Sequence, residues 1–154
     1  MKKEQFIRID KYGDKFYFSD REMTIRHRED GPAYECAGGA KVWYLNGERH
    51  REDGPAIEYA DGSKSWYING ELHREDGPAA EYVSGSKGWY LNGKLHREDG
   101  PAIEYADGDK SWYLNGQFLT EEEFNARMNP VTELTLDEIA RKFNVSVDKL
   151  KIRK

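Results

Sequence analysis

The segment His-Arg-Glu-Asp-Gly-Pro-Ala occurs four times, starting at His27, His50, His73 and His96. It places an imidazole, a guanidinium and two carboxylates side by side, the groups used in general acid–base catalysis and metal coordination. Spacing argues against both. The steps are 23 residues each, so the histidines form a column, one to a unit. If each unit contributes two strands, equivalent atoms stand about 9–10 Å apart, whereas a zinc ion takes nitrogens about 2.1 Å from itself. Neighbouring column histidines cannot share one ion, and neither metal nor other cofactor is expected. A catalytic constellation is a singular arrangement in a pocket, and this set recurs in every unit. The expectation is a non-enzymatic protein. His73 and its equivalents then hydrogen-bond a neighbouring loop, and Arg74, Glu75, Asp76 and their equivalents form ion-pair ladders between loops.

Aligning the chain on this segment brings the rest into register. Trp43, Trp66, Trp89 and Trp112 form one column, and Tyr44, Tyr67, Tyr90 and Tyr113 the next. Asn-Gly follows at 46–47, 69–70, 92–93 and 115–116, with a second glycine column at Gly39, Gly62, Gly85 and Gly108. Ala56–Ala60 alternates Ile57 and Tyr59 against Glu58, the period of a half-buried strand. Asp61-Gly62 predicts a turn, and Lys64–Ile68 a second, aromatic strand. Asn69-Gly70 predicts a hairpin turn, because both central positions need positive φ. Asp-Gly-Pro closes the unit, with the glycine expected to take an unusual φ/ψ and the proline to open a strand.

The predicted fold is an all-β repeat: an elongated meander of stacked 23-residue hairpin units with a short α-helical C-terminal cap. Residues 1–26 read as a degenerate first unit, with Phe16-Tyr17-Phe18 standing in for Trp-Tyr-Leu. Residues 27–118 hold the four tandem repeats, and residues 119–154 the helical segment. In that segment Thr120–Glu123 and Thr135–Glu138 both have the capping-box form. Leu136, Ile139, Ala140 and Phe143 share one helical face. A cap here would cover an open sheet edge.

The order Trp, Asn-Gly, His, Gly and a further aromatic, shown in full from Asn69 to Trp89, resembles the MORN repeat. It is closer to a variant in which HREDGPA replaces the shorter His-Gly-x-Gly segment. Repeats similar to it occur in bacterial, bacteriophage and large-virus proteins. The resemblance covers roughly residues 13–118. It implies a curved meander of hairpins that binds protein or, in some members, lipid. The loop after Asn-Gly is longer than in ordinary MORN repeats. The run Leu136–Val147 resembles the first part of a helix-turn-helix and also a fragment of a LysM domain.

Trp66 and Tyr67 are neighbours in a strand and should point to opposite faces. The larger indoles are assigned to structure, and Tyr44, Tyr67, Tyr90 and Tyr113 to a solvent-facing docking surface. Arg51, Arg74 and Arg97 join them as candidates to meet a partner or an anion. From His27 to Phe118 there are ten Lys and Arg against seventeen Asp and Glu. That balance favours a protein partner with a basic surface over nucleic acid. The first function expected is a protein-binding module or inhibitor. The alternatives are capture of a small ligand or nucleotide by Arg and Tyr between repeats or subunits, and nucleic-acid binding through the tail, where Lys149, Lys151, Arg153 and Lys154 make a small basic end. Self-association is left open. The chain has 154 residues, 37% of them hydrophobic, 13% aromatic and 34% charged, which suits thin layers carrying large rings better than one thick core. The single cysteine, Cys36, the lack of a signal-type apolar start and the lack of an apolar membrane span lead to an expected cytoplasmic location, the host cytoplasm if phage-encoded.

Overall fold

The computed structural model describes residues 4–130 and 134–149. The chain forms two compact units, Met1–Phe124 and Asn125–Lys154. The first is a long antiparallel meander. Its eleven-stranded sheet runs in sequence order through Phe6–Ile9, Lys15–Phe18, Tyr34–Glu35, Lys41–Val42, Ile57–Glu58, Lys64–Ser65, Ala80–Glu81, Lys87–Gly88, Ile103–Glu104, Lys110–Leu114 and Gln117–Leu119. Three small hairpins stand apart from this sheet: Tyr44–Leu45 with Glu48–Arg49, Tyr67–Ile68 with Glu71–Leu72, and Tyr90–Leu91 with Lys94–Leu95.

The predicted second strand, Lys64–Ile68, is therefore split. Trp66 is the joint: its N–H donates to Ala79 O at 2.8 Å, and its own carbonyl accepts from His73 N–H at 3.1 Å. One residue serves two different neighbours, so the ladder cannot continue straight through it. The first strand is also shorter than its alternation suggests. Only Ile57–Glu58 pairs in the ladder, because Tyr59 already begins the turn, donating its N–H to Ser63 O at 2.9 Å. The predicted hairpin turns are present. Asn69 has φ 50° and Gly70 φ 80°, as a type I′ turn requires.

The register puts opposite charges face to face from the second strand of the sheet to the tenth. Lys15 pairs with Glu35, Glu35 with Lys41, Lys41 with Glu58, Glu58 with Lys64, and the alternation continues through Glu81, Lys87 and Glu104 to Lys110. Directly opposed unlike charges favour a sheet register that like charges would penalise. A one-residue slip would destroy this ladder and turn every apolar side chain to the wrong face.

The stack begins with the hairpin of Phe6–Ile9 and Lys15–Phe18. Here one expectation is corrected. Tyr17, not Phe16, holds the Trp position: its N–H donates to Ala33 O at 2.8 Å, and its carbonyl accepts from His27 N–H at 3.1 Å. Phe16 instead pairs with Tyr34, ring centroids 4.9 Å apart. The Lys15–Glu35 register decides this. The extra residues before His27 form a loop held by Asp20, whose carboxylate accepts from Thr24 N–H, the Thr24 hydroxyl and Ile25 N–H.

The core is very thin. Ala33, Ala56, Ala79 and Ala102, the last residues of the four HREDGPA segments, are each 0% exposed. Their carbonyls accept the N–H groups of Tyr17, Trp43, Trp66 and Trp89, so each alanine is held against the backbone of the strand before it.

Helices follow the sheet. Helix α1 (Glu121–Met128) starts at Thr120, whose hydroxyl accepts from Glu123 N–H while the Glu123 carboxylate accepts from Thr120 N–H. Helix α2 (Leu136–Phe143) has the same box at Thr135 and Glu138 and ends at Asn144 with φ 52°. Of its apolar face only Ala140 is buried, while Leu136 and Phe143 are exposed. A 3-10 turn follows at Val147–Lys149. Lys151, Arg153 and Lys154 lie outside the described residues. Among the described residues no helix is long and apolar enough to cross a membrane.

The alanine column gives a direct test. Valine is the better strand former, yet Ala56→Val, Ala79→Val and Ala102→Val should each destabilise by about 1–3 kcal/mol through overpacking. Ala106→Val, at an exposed turn, should be close to neutral. Urea unfolding of the four variants measures this.

Candidate binding grooves between the repeats

Each repeat is built around one arginine. Arg74 Nε donates to Asp76 Oδ1 at 2.8 Å, and Nη1 donates both to Pro78 O at 3.2 Å and to Glu81 Oε1 at 3.1 Å. Its guanidinium carbon lies 4.2 Å from the Trp66 ring centroid. Arg51 repeats the set with Asp53, Pro55, Glu58 and Trp43, and Arg97 with Asp99, Pro101, Glu104 and Trp89. Arg28 does so with Asp30, Pro32, Glu35 and Tyr17. The planar, forked guanidinium suits this set, because it bonds in its plane and stacks on its face. The expected ion-pair ladder between loops is corrected here. Both carboxylate partners of Arg74 belong to its own unit, and the stack on Trp66 is what reaches the preceding one.

The glycine of the motif is also explained differently from the expectation. Gly77 has no positive φ. Instead, a Cβ there would lie 3.0 Å from Arg74 Cζ, so the residue is glycine because the guanidinium passes against its backbone. Gly54 and Gly100 face Arg51 and Arg97 in the same way. Gly62 is the opposite case, with φ 93° and open space where a Cβ would go.

The histidines connect successive hairpins. The N–H groups of Asn46, Asn69, Asn92 and Asn115 donate to Nδ1 of His27, His50, His73 and His96, at 3.0, 3.2, 3.2 and 3.0 Å. Each imidazole thus holds the turn of the next hairpin along the chain. The other ring nitrogen faces a glutamate of its own loop, His73 Nε2 lying 3.8 Å from Glu75 Oε1. Arg51 N–H donates to Tyr67 O and Gly70 N–H to Arg49 O, at 3.1 and 2.9 Å, so loop and hairpin are stitched along the stack. Among the described residues no group of three or more His, Cys, Asp or Glu side chains converges on a metal position.

Between successive loops lie three equivalent grooves of about 730, 650 and 590 Å³. The middle one has Trp66, Ile68 and His73 between the loops Arg51–Pro55 and Arg74–Asp76. Its neighbours repeat this with Trp43, Leu45 and His50, and with Trp89, Leu91 and His96. The rims are acidic and open to solvent: the side chains of Glu52, Glu75 and Glu98 are 86%, 86% and 71% exposed. Trp112 lies elsewhere, opposite the buried Leu119 in the last hairpin.

The tyrosines line other surfaces. Tyr44, Tyr67, Tyr90 and Tyr113 are half-buried rather than fully solvent-facing. The Arg26 and Arg49 guanidiniums lie over Tyr44 and Tyr67, and Tyr113 packs edge-on against Phe118. Tyr90 lies over Gly88, in a separate hollow with Tyr82 and Tyr105. Within the repeats, Tyr59, Tyr82 and Tyr105 of the strand turns are the tyrosines exposed to solvent. Sequence reading placed Tyr59 and Glu58 on opposite faces of a strand but gave neither them nor their equivalents a part in the site. The recurrence of Glu seven residues after each motif Arg was the available signal for the glutamates.

Two outcomes follow from the arginine set. Gly77→Ala should cost about 1–3 kcal/mol by crowding Arg74. In an Arg74→Ala background the same change should be neutral or slightly stabilising, whereas Gly62→Ala should cost the same in both. A double-mutant cycle by chemical denaturation reads this. The second outcome concerns pH. Hydrogen bonds from Arg51, Arg74 and Arg97 hold Asp53, Asp76 and Asp99 below the usual aspartate range. Folded-state values below the unfolded ones mean that the contribution is present above the unfolded value and lost as pH falls through the folded one. Thermal stability should therefore decline below about pH 4. The triple variant Asp53→Asn, Asp76→Asn, Asp99→Asn should be less stable at neutral pH and should lose less on acidification.

No protein-family model matches this chain, and no curated protein matches it.

Proposed function

We propose that this chain is a non-enzymatic protein-binding repeat module that docks a partner with a basic surface along its row of loops. The observation that carries the reading is the threefold recurrence of one groove, with an indole inside and exposed carboxylates on the rim. Aromatic side chains supply contact area at little entropic cost, and rim charges set partner choice and encounter rate. The repeat pattern that resembles MORN units supports the same class of function. Arg51, Arg74 and Arg97 contribute indirectly, by fixing the indoles and loops, since their Nε and Nη1 groups are already bonded within the chain. A module of this kind acts by occupying its partner, which suits an inhibitor as well as an adaptor.

The test uses the full chain and a cationic protein as partner, followed by calorimetry. Binding should weaken as salt is raised beyond the range where charges about 8–10 Å apart still interact. The triple variant Glu52→Lys, Glu75→Lys, Glu98→Lys should lose binding while keeping its fold, because exposed substitutions of this kind cost within about 0.5 kcal/mol. Undiminished binding of the cationic protein by that variant would sink the reading.

A further inference from the structure

The grooves recur at a fixed interval, and the interval selects a partner conformation. Each unit adds two hydrogen-bonded strands to the sheet. At about 4.7–4.9 Å per strand, the grooves stand about 9.5 Å apart. A ligand segment that fills successive grooves must present equivalent side chains on one side at that interval. An extended strand presents them about every 6.7 Å or 13.4 Å. An α-helix presents them after two turns, at about 10.5 Å, and drifts out of step by about 1 Å per groove. A polyproline II segment has three residues per turn and rises about 3.1 Å per residue, which gives about 9.3 Å.

We infer that the occupant of these grooves is a protein segment in the polyproline II conformation carrying a lysine or arginine at every third position. This rests on the docking reading above and specifies its ligand. The charge match supports it: each groove has one indole and a rim containing Glu52, Glu75 or Glu98. A long cationic side chain lays its methylenes against the indole and brings its charge to the rim. The two intervening residues face away from the grooves and are free to be proline. Aromatic-lined grooves are the usual receptors of such segments, whose conformation is largely formed before binding. Register along the stack then confers specificity. A segment with the same charge at another spacing reaches one groove at a time and loses the gain from simultaneous engagement.

The experiment compares synthetic twelve-residue peptides of identical composition, four arginines and eight prolines, binding to the full chain. In one the arginines fall at every third position. In the others they are clustered or placed at irregular intervals. The period-three peptide should bind at least about tenfold more tightly than its isomers. Glu52→Gln, Glu75→Gln and Glu98→Gln, introduced one after another, should weaken it by about two- to fivefold each, while circular dichroism shows an unchanged fold. Tyr82→Ala, in the other hollow, should bind it as the parent does. Equal binding of all isomers would overturn the register while leaving a basic partner in place. Failure of every peptide, with a cationic protein still bound through the same glutamates, would also overturn it. Failure of the cationic protein as well would remove both readings.

Discussion

A guanidinium lying on an indole is the contact on which each repeat depends. Arg74 stacks on Trp66, is tied at its edge to Asp76, Glu81 and the Pro78 carbonyl, and so fixes its own loop, the strand that follows it and the preceding tryptophan at once. Other features follow from it. The motif glycine is there because the guanidinium needs its space. The proline carbonyl turns inward because it has a donor to meet. The motif alanine is buried completely, with its carbonyl bonded to the tryptophan N–H. Each partner alone is a modest contact of the kind found on many protein surfaces. Held together in one plane and shielded by the ring, they define the geometry of the loop.

This arrangement explains how a chain with so little apolar material folds. The sheet is a thin layer, and its most buried column is alanine. Burial is supplied by rings and by the methylene stems of charged side chains, which cover apolar surface while keeping their charge near water. Successive loops and hairpins of the stack are joined by a small, repeated set of bonds: tryptophan N–H to alanine carbonyl, hairpin-turn N–H to histidine ring, loop N–H to tyrosine carbonyl. Each unit contacts chiefly its neighbours, the condition under which repeat proteins gain stability step by step along the stack.

The same economy shapes the surface. The arginines are spent inside the loops, so the carboxylates beside them set the character of the rims. The indoles that secure the arginines also line the grooves between loops. Structure and binding surface are therefore built from one set of residues, repeated at the interval that the hydrogen-bond ladder imposes.

Much of the fold was legible in the sequence because the repeat is nearly exact and its punctuation is local. Asn-Gly requires positive φ, Asp-Gly closes a turn, and Thr-x-x-Glu caps a helix. Each is decided within four residues, so the hairpins, the turns and both helices could be placed in advance. What only the tertiary structure decided is whatever depends on a neighbouring unit. Trp66 divides a strand because it serves both Ala79 and His73. Tyr17 rather than Phe16 takes the tryptophan position because Lys15 is in register with Glu35. Gly77 is glycine for the sake of Arg74 rather than of its own backbone. The division of the aromatics between groove and hollow depends on which loop packs above them. Periodicity reports which residues are equivalent, but packing between units determines what those equivalent residues touch.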